Sequence, residues 1–242
     1  MRWLVLQHIA IEHPGVIRDF LAADGIGWDA VELDEGQTIP PLDGYDALLV
    51  MGGPMDTWQE DDYPWLVDEK RAIRAAIGRG MPYLGVCLGH QLLADALGGA
   101  VARSAAPEVG VLDVALTEAG RADPLFAGIA PRFPALQWHS YEVARLPPDG
   151  RTLAASPACA HQAIAVGASA YGVQYHVELT EATVAEWGRV PAYEAALEAT
   201  LGAGGQARLE AEAARLLPDF RRDARRLYDN FLAIARRHPK RR

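Results

Sequence analysis

The chain has 242 residues, half of them apolar and 23% charged, which is the composition of a soluble globular protein long enough to bury a full core. A net charge of −9 argues against nucleic-acid binding, and no apolar run approaches the roughly 20 residues needed to cross a membrane, so neither partner is expected. Two cysteines form at most one bridge, which excludes a disulfide framework and fits a reducing cytoplasm.

The first segment, "RWLVLQ", is too short for the apolar core of a signal peptide and reads as a buried strand. "GVIRDFLAAD" follows with helical spacing at Val16, Ile17, Phe20 and Leu21. "WDAVEL" and "YDALLVMGGP" are the next strands, the second ending in a glycine pair that must turn. "YPWLVDEKRAIRAAIGRG" is a long amphipathic helix stopped by Gly78 and Gly80, followed by the strand "PYLGVC" and the helix "LGHQLLADALGG". Apolar strands alternating with helices predict a mostly parallel sheet covered on both faces.

From about Val109 the rhythm shortens to "GVLDVALT", "FPALQWHS", "EVARLP", "RTLAAS", "QAIAVG" and "AYGVQYH", a mixed or antiparallel region. After Leu179 the pattern is helical from Glu181 to Arg237, broken by Pro191, "GAGG" and Pro218 into three or four short helices. The basic run that closes the chain, "RRDARRLYDNFLAIARRHPKRR", reads as a solvated helix face with a frayed tail. The organisation expected is residues 1–180 as one α/β domain and 181–242 as a helical extension packed on it. Arginine greatly outnumbers lysine and alanine is abundant, a hint of GC-rich bacterial coding.

"GVCLG" places Cys87 between Gly85 and Gly89 at a strand-to-helix junction, the sulfur counterpart of a nucleophile elbow. A helix that starts there directs N–H groups and the positive end of its dipole at the sulfur, and the Leu88 N–H is free to bind an oxyanion. Taken alone, the pattern suits a buried inert cysteine equally well. Downstream, "YGVQYHVELT" puts His176 and Glu178 on one face if the strand persists that far, so that a carboxylate can orient the imidazole. In "VMGGPMD" the turn exposes the Gly53 amide, a second oxyanion donor. His139 in "WHSYEV" has no carboxylate at a suitable offset and reads as a structural or pocket-wall residue. Cys159 in "SPACAHQ" reads as a loop residue. No clustered Cys/His set suggests a metal, and no cofactor is expected.

"GGPMD", "YLGVCLGHQLLADALGG" and "YGVQYHVE" resemble, in order and spacing, the class I glutamine amidotransferase domain, in particular stand-alone domains similar to the amidotransferase part of GMP synthase. The match runs from about Leu4 to Glu178. The resemblance implies a flavodoxin-like three-layer α/β fold and a Cys87–His176–Glu178 triad. It also implies an oxyanion hole from Gly53 and Leu88, and substrate contacts from Gln91, Ser140 and Tyr141. Proteins similar to DJ-1 place His directly after the nucleophile, where this chain has Leu88. Two departures stand out: Val177 replaces the usual proline of His-Pro-Glu, and Met55 and Asp56 follow Pro54 where a small residue is usual.

The implied chemistry is hydrolysis of the glutamine side-chain amide through a γ-glutamyl thioester, with ammonia released for a partner synthetase. The roughly 60 residues after Glu178 are too few for a synthetase domain of about 100–150 residues, and no G-x-x-x-x-G-K-[ST] loop is present. The alternatives are a free-standing hydrolase of γ-glutamyl compounds, with loops 54–62 and 137–142 selecting the leaving amine, and a non-catalytic binding module. The helical extension is where a synthetase would dock or a homodimer would form.

Overall fold

The computed structural model describes residues 1–238; the end of the basic tail, residues 239–242, lies outside the described residues. The apolar segments of the first half form β1 (Arg2–Gln7), β2 (Gly27–Glu32), β3 (Ala47–Val50) and β4 (Tyr83–Val86), with α1 (Ile17–Ala23), α2 (Trp65–Gly78) and α3 (Leu88–Ala96) following β1, β3 and β4. The second half adds β5 (Ala100–Leu116), the short α4 (Glu118–Ala122), β6 (Arg132–Arg145), β7 (Gly150–Ala155), β8 (Ala163–Val166) and β9 (Ala170–Val173). One nine-stranded sheet results, in the order β2-β1-β3-β4-β9-β8-β7-β5-β6. The pairs from β2 to β9 are parallel and those from β9 to β6 antiparallel. This is the mixed α/β sheet expected, with one difference in the strands. β5 and β6 are single long partners of 17 and 14 residues, carried past an irregularity between Arg103 and Glu108, so "FPALQWHS" and "EVARLP" are one strand.

Both faces of β1, β3 and β4 are buried, which explains why these strands lack polar alternation, whereas the edge strand β2 is only partly covered. Trp3, Val5 and Leu49 belong to one core cluster, whereas Leu4, Leu6, Leu48 and Val50 belong to the other, against Leu66, Ile73 and Leu92 of α2 and α3. The first cluster is completed by the C-terminal helices: α5 (Thr183–Trp187), α6 (Pro191–Leu201) and α7 (Gly205–Arg237). Phe231 and Tyr228 of α7 meet Trp3 at ring-centroid distances of 5.3 and 5.7 Å.

α7 corrects the expectation of short helices, since its 33 residues run through Pro218. A proline inside a helix removes one N–H and crowds the carbonyl four residues earlier, here Ala214. Both residues are exposed, so water can take the orphaned carbonyl, while the buried stripe Phe220, Ala224, Leu227 and Phe231 holds the helix on the sheet. The chain breaks instead at Gly202 and Gly204, whose positive φ values (66° and 70°) end α6 and start α7. Pro218→Ala restores the missing hydrogen bond and should stabilise the protein by about 1–3 kcal/mol, raising Tm by several degrees. An unchanged or lower Tm would show that the ring itself is needed for packing.

Candidate functional site

The site stands at the carboxyl ends of the parallel strands, where α/β sheets open toward ligands. β4 and β9 are neighbours in register, Val86 opposite Val173, so the residues that leave these two strands emerge side by side. Cys87 leaves β4, its N–H donating to the Val173 carbonyl at 2.8 Å, and His176 follows three residues after β9.

Cys87 joins β4 to α3 with φ 51° and ψ −104°, a left-handed conformation that a non-glycine residue adopts only when its surroundings enforce it. The enforcing contacts are close backbone approaches. A Cβ on Gly85 would strike the Gly89 backbone, and one on Gly89 would strike the Val50 carbonyl, so both glycines are required for α3 to start so close to the sheet. The thiol is buried yet lines a cavity of about 180 Å³, together with Gly53, Leu88, Gln91, Ser140 and Tyr141. All the residues the sequence nominates on the substrate side thus line the same cavity as Cys87. A wider groove of about 600 Å³, lined among others by Ile39, Pro41, Trp65 and Arg71, contains no thiol or imidazole.

His176 and Glu178 meet by another route than a continuous strand, because β9 ends at Val173. An isolated bridge holds His176 instead: its N–H donates to the Leu136 carbonyl at 2.9 Å, and its carbonyl accepts from Leu136 at 3.1 Å. Nδ1 then lies 2.6 Å from Glu178 Oε1, while Glu178 Oε2 accepts the Val177 N–H at 3.0 Å. The second bond exists because residue 177 is not proline; the departure from His-Pro-Glu supplies a donor that fixes the carboxylate. Burial alone would lower the His176 pKa. The Glu178 charge and hydrogen bonds with Cys87 and Glu178 outweigh it and hold the ring well above its ordinary value, so the imidazolium is favoured beside the sulfur. The edge of Trp187 meets the ring at 4.6 Å and keeps water from that side.

Gln91 is held from two sides, its Nε2 donating to the Tyr141 carbonyl and to Gln174 Oε1, both at 3.0 Å. Gln174 in turn points Nε2 at Cys87 Sγ, 3.5 Å away.

Glu108, His139 and Cys159 form a second Cys–His–Glu grouping, one that sequence spacing concealed because its members come from β5, β6 and a loop. Their donor atoms lie within 4.8 Å of one another, close enough to hold a cation. Glu108 is, however, already engaged: Oε1 accepts from Ser156 at 2.7 Å, Oε2 accepts from Gln162 at 2.8 Å, and His139 Nε2 stands 3.1 Å away. Burial pushes the Cys159 thiol pKa up, which keeps it protonated and unreactive. His139 donates from Nδ1 to the Tyr141 carbonyl at 3.0 Å, so this network braces the cavity wall.

Sequence reasoning missed Glu12 and Tyr193. The Tyr193 hydroxyl donates to Glu12 Oε1 at 2.5 Å, and Tyr193 lines the cavity from α6. Burial raises the Glu12 pKa, and its Oε2 packs against Gly52 where any Cβ would clash. The available signal was the cluster of polar residues in "QHIAIEH" directly after β1, at the ligand-binding end of the sheet.

Fold and site together define a mixed-sheet α/β protein with a thiol on a strained elbow beside a carboxylate-bound imidazole. A sequence model of the family "Glutamine amidotransferase class-I" matches residues 17–185. The glutamine amidotransferase-like protein YfeJ of Salmonella typhimurium is 33% identical over 186 residues, covering 74% of this chain and 77% of its own. A glutamine-hydrolyzing GMP synthase subunit of Sulfolobus acidocaldarius is 32% identical, covering 64% of this chain and 78% of its own. A glutamine amidotransferase from Thermotoga maritima superimposes with a TM-score of 0.86 at 27% identity, over 96% of this chain and 98% of its own. One from Methylobacillus flagellatus superimposes with a TM-score of 0.87 at 26% identity, over 100% and 96% respectively. The chain belongs to the class I glutamine amidotransferase family, and it is an amidotransferase-type enzyme by that membership.

Proposed function

We propose that this chain hydrolyses the side-chain amide of glutamine and releases ammonia to a partner synthetase. His176, which Glu178 orients, holds the proton taken from Cys87, and the thiolate so formed attacks the amide carbon. The Gly53 and Leu88 amides hold the oxyanion, while Gln91, Ser140 and Tyr141 contact the substrate. His176 protonates the departing ammonia, and water cleaves the γ-glutamyl thioester to glutamate and free thiol. The observation that carries this reading is the strained Cys87 elbow, which leaves β4 beside the end of β9 from which His176 follows, with that imidazole 2.6 Å from a carboxylate. The GMP synthase subunits found as relatives support a synthetase partner. Residues 1–180 are read as the amidotransferase domain and 181–242 as its helical extension, in a reducing cytoplasm that keeps both cysteines free.

One observation favours a second reading, a free-standing hydrolase of γ-glutamyl amides. Ala192, Tyr193 and Ala196 of α6 wall the cavity, and they lie beyond the segment the family model matches. Ammonia release by the purified protein separates the two. Turnover of glutamine that rises on adding a synthetase supports the first reading, and equal or faster turnover of larger γ-glutamyl amides supports the second. No release from either substrate, with or without a synthetase, overturns both.

A further inference from the structure

We propose that His8 is a positioning residue for the oxyanion hole: by holding the Gly52 carbonyl it aims the Gly53 N–H at the reacting centre. The inference rests on the proposed amide hydrolysis and assigns a role to a histidine that stands apart from the triad. His8 follows β1, at the sheet end where the Gly52–Gly53 turn leaves β3.

The geometry is restrictive. Nδ1 of His8 lies 2.7 Å from the Gly52 carbonyl oxygen, and Nε2 lies 3.0 Å from Glu69 Oε1, with His8 and Glu69 both fully buried. A carbonyl oxygen can only accept, so Nδ1 donates to Gly52, while Nε2 shares a hydrogen bond with Glu69. Burial alone would lower the ring's pKa, but the Glu69 charge and hydrogen bond outweigh that effect and raise it. Both ring nitrogens are committed, and stacking on Trp65 at 5.4 Å fixes the ring's plane.

The consequence runs through one peptide bond. In a trans peptide the C=O of Gly52 and the N–H of Gly53 point in opposite directions, and no cis peptide occurs among the described residues. Gly53 lines the cavity with Cys87 and Leu88, whereas the Gly52 carbonyl is turned to His8 in the interior. Without that bond the glycine pair is free to rotate the peptide, which would present an oxygen to the oxyanion in place of a donor. The turn has little space to move otherwise: a Cβ on Gly53 would lie 2.8 Å from His8 Cβ and 3.1 Å from Leu88 Cδ2.

Three variants test the assignment: His8→Leu removes both donors, His8→Asn keeps an N–H where Nδ1 stands, and His8→Gln keeps one where Nε2 stands. Glutamine turnover, inhibition by glutamate γ-semialdehyde and alkylation of Cys87 by iodoacetamide are measured on each. The aldehyde forms a tetrahedral adduct that needs the oxyanion hole, whereas iodoacetamide reads thiolate alone. His8→Leu is expected to lose about 100-fold in kcat with KM within about threefold. It should weaken aldehyde inhibition by a similar factor and leave alkylation unchanged, and His8→Asn should recover most of the loss. A kcat for His8→Leu close to wild type, or equal losses in all three variants, overturns the assignment. Should His8→Leu fail to fold, the comparison of Asn with Gln decides, equal rates again overturning it. A wild-type protein that binds the aldehyde yet releases no ammonia contradicts the proposed function while the His8 effect on aldehyde binding is still read. Failure of the wild type to bind the aldehyde overturns both.

Discussion

Cys87→Gly is expected to abolish glutamine hydrolysis and leave a protein more stable than Cys87→Ala by about 1 kcal/mol. The two effects share one cause. At φ 51° a side chain at position 87 is strained against its own backbone, and alanine retains that strain whereas glycine does not. Glycine gives back part of the gain through the larger entropy of its unfolded chain, which is why the expected difference is modest. Turnover in both variants should fall by about 10⁴-fold or more, since no neighbouring group can replace the sulfur as nucleophile. Cys159 is not a substitute, being a buried, protonated thiol in a separate network. Urea-unfolding midpoints and ammonia release report the two quantities independently. Turnover within tenfold of wild type in Cys87→Ala would remove the sulfur from the mechanism, and a glycine variant less stable than alanine would show that the elbow is not strained.

How much of this is legible in the sequence depends on whether the relevant contacts are local. The elbow can be read because its requirements sit within five residues, Gly85 to Gly89, and the strand–turn–helix rhythm around it follows from apolar spacing. The convergence on His176 can be read as a motif, but alternation along one strand is the wrong reason for it: no strand reaches residue 178, and Leu136 of β6 supplies the bridge. The polar cluster after β1 marks Glu12 and His8, but the pairing of Glu12 with Tyr193, 181 positions apart, and of His8 with Glu69, 61 apart, cannot be read from it because each pair is made by tertiary folding. Cys159 does lie in a loop, as its turn-rich surroundings suggest, yet its neighbours Glu108 and His139 are invisible for the same reason. The C-terminal helices show in their periodicity. Their lengths do not, because a proline rule drawn from isolated helices fails for one whose buried face is anchored on Trp3. Local rules thus locate the cysteine elbow, and long-range packing decides what surrounds it.

Glu178→Ala should lower kcat on glutamine by about 10³–10⁴-fold, in the range found when the orienting acid of a triad is removed. Two losses combine. Nδ1 no longer has the acceptor at 2.6 Å that fixes tautomer and ring plane, and the buried ring no longer has the charge that opposes its desolvation. Glu178→Gln should fall between the two proteins, since an amide oxygen can still accept from Nδ1 but carries no charge. The same pair predicts a pH signature in stability. The folded pKa of His176 is raised, so its contribution is fully present below the unfolded value of about 6.5 and is lost as pH rises through the folded value. The stability difference between wild type and Glu178→Ala should therefore be widest near pH 6 and shrink as the solution becomes alkaline. Urea midpoints for both proteins across that range give the slope. A difference that stays constant or widens with pH would mean that His176 is neutral in the folded protein, and the ring would then have to act as a base only during attack.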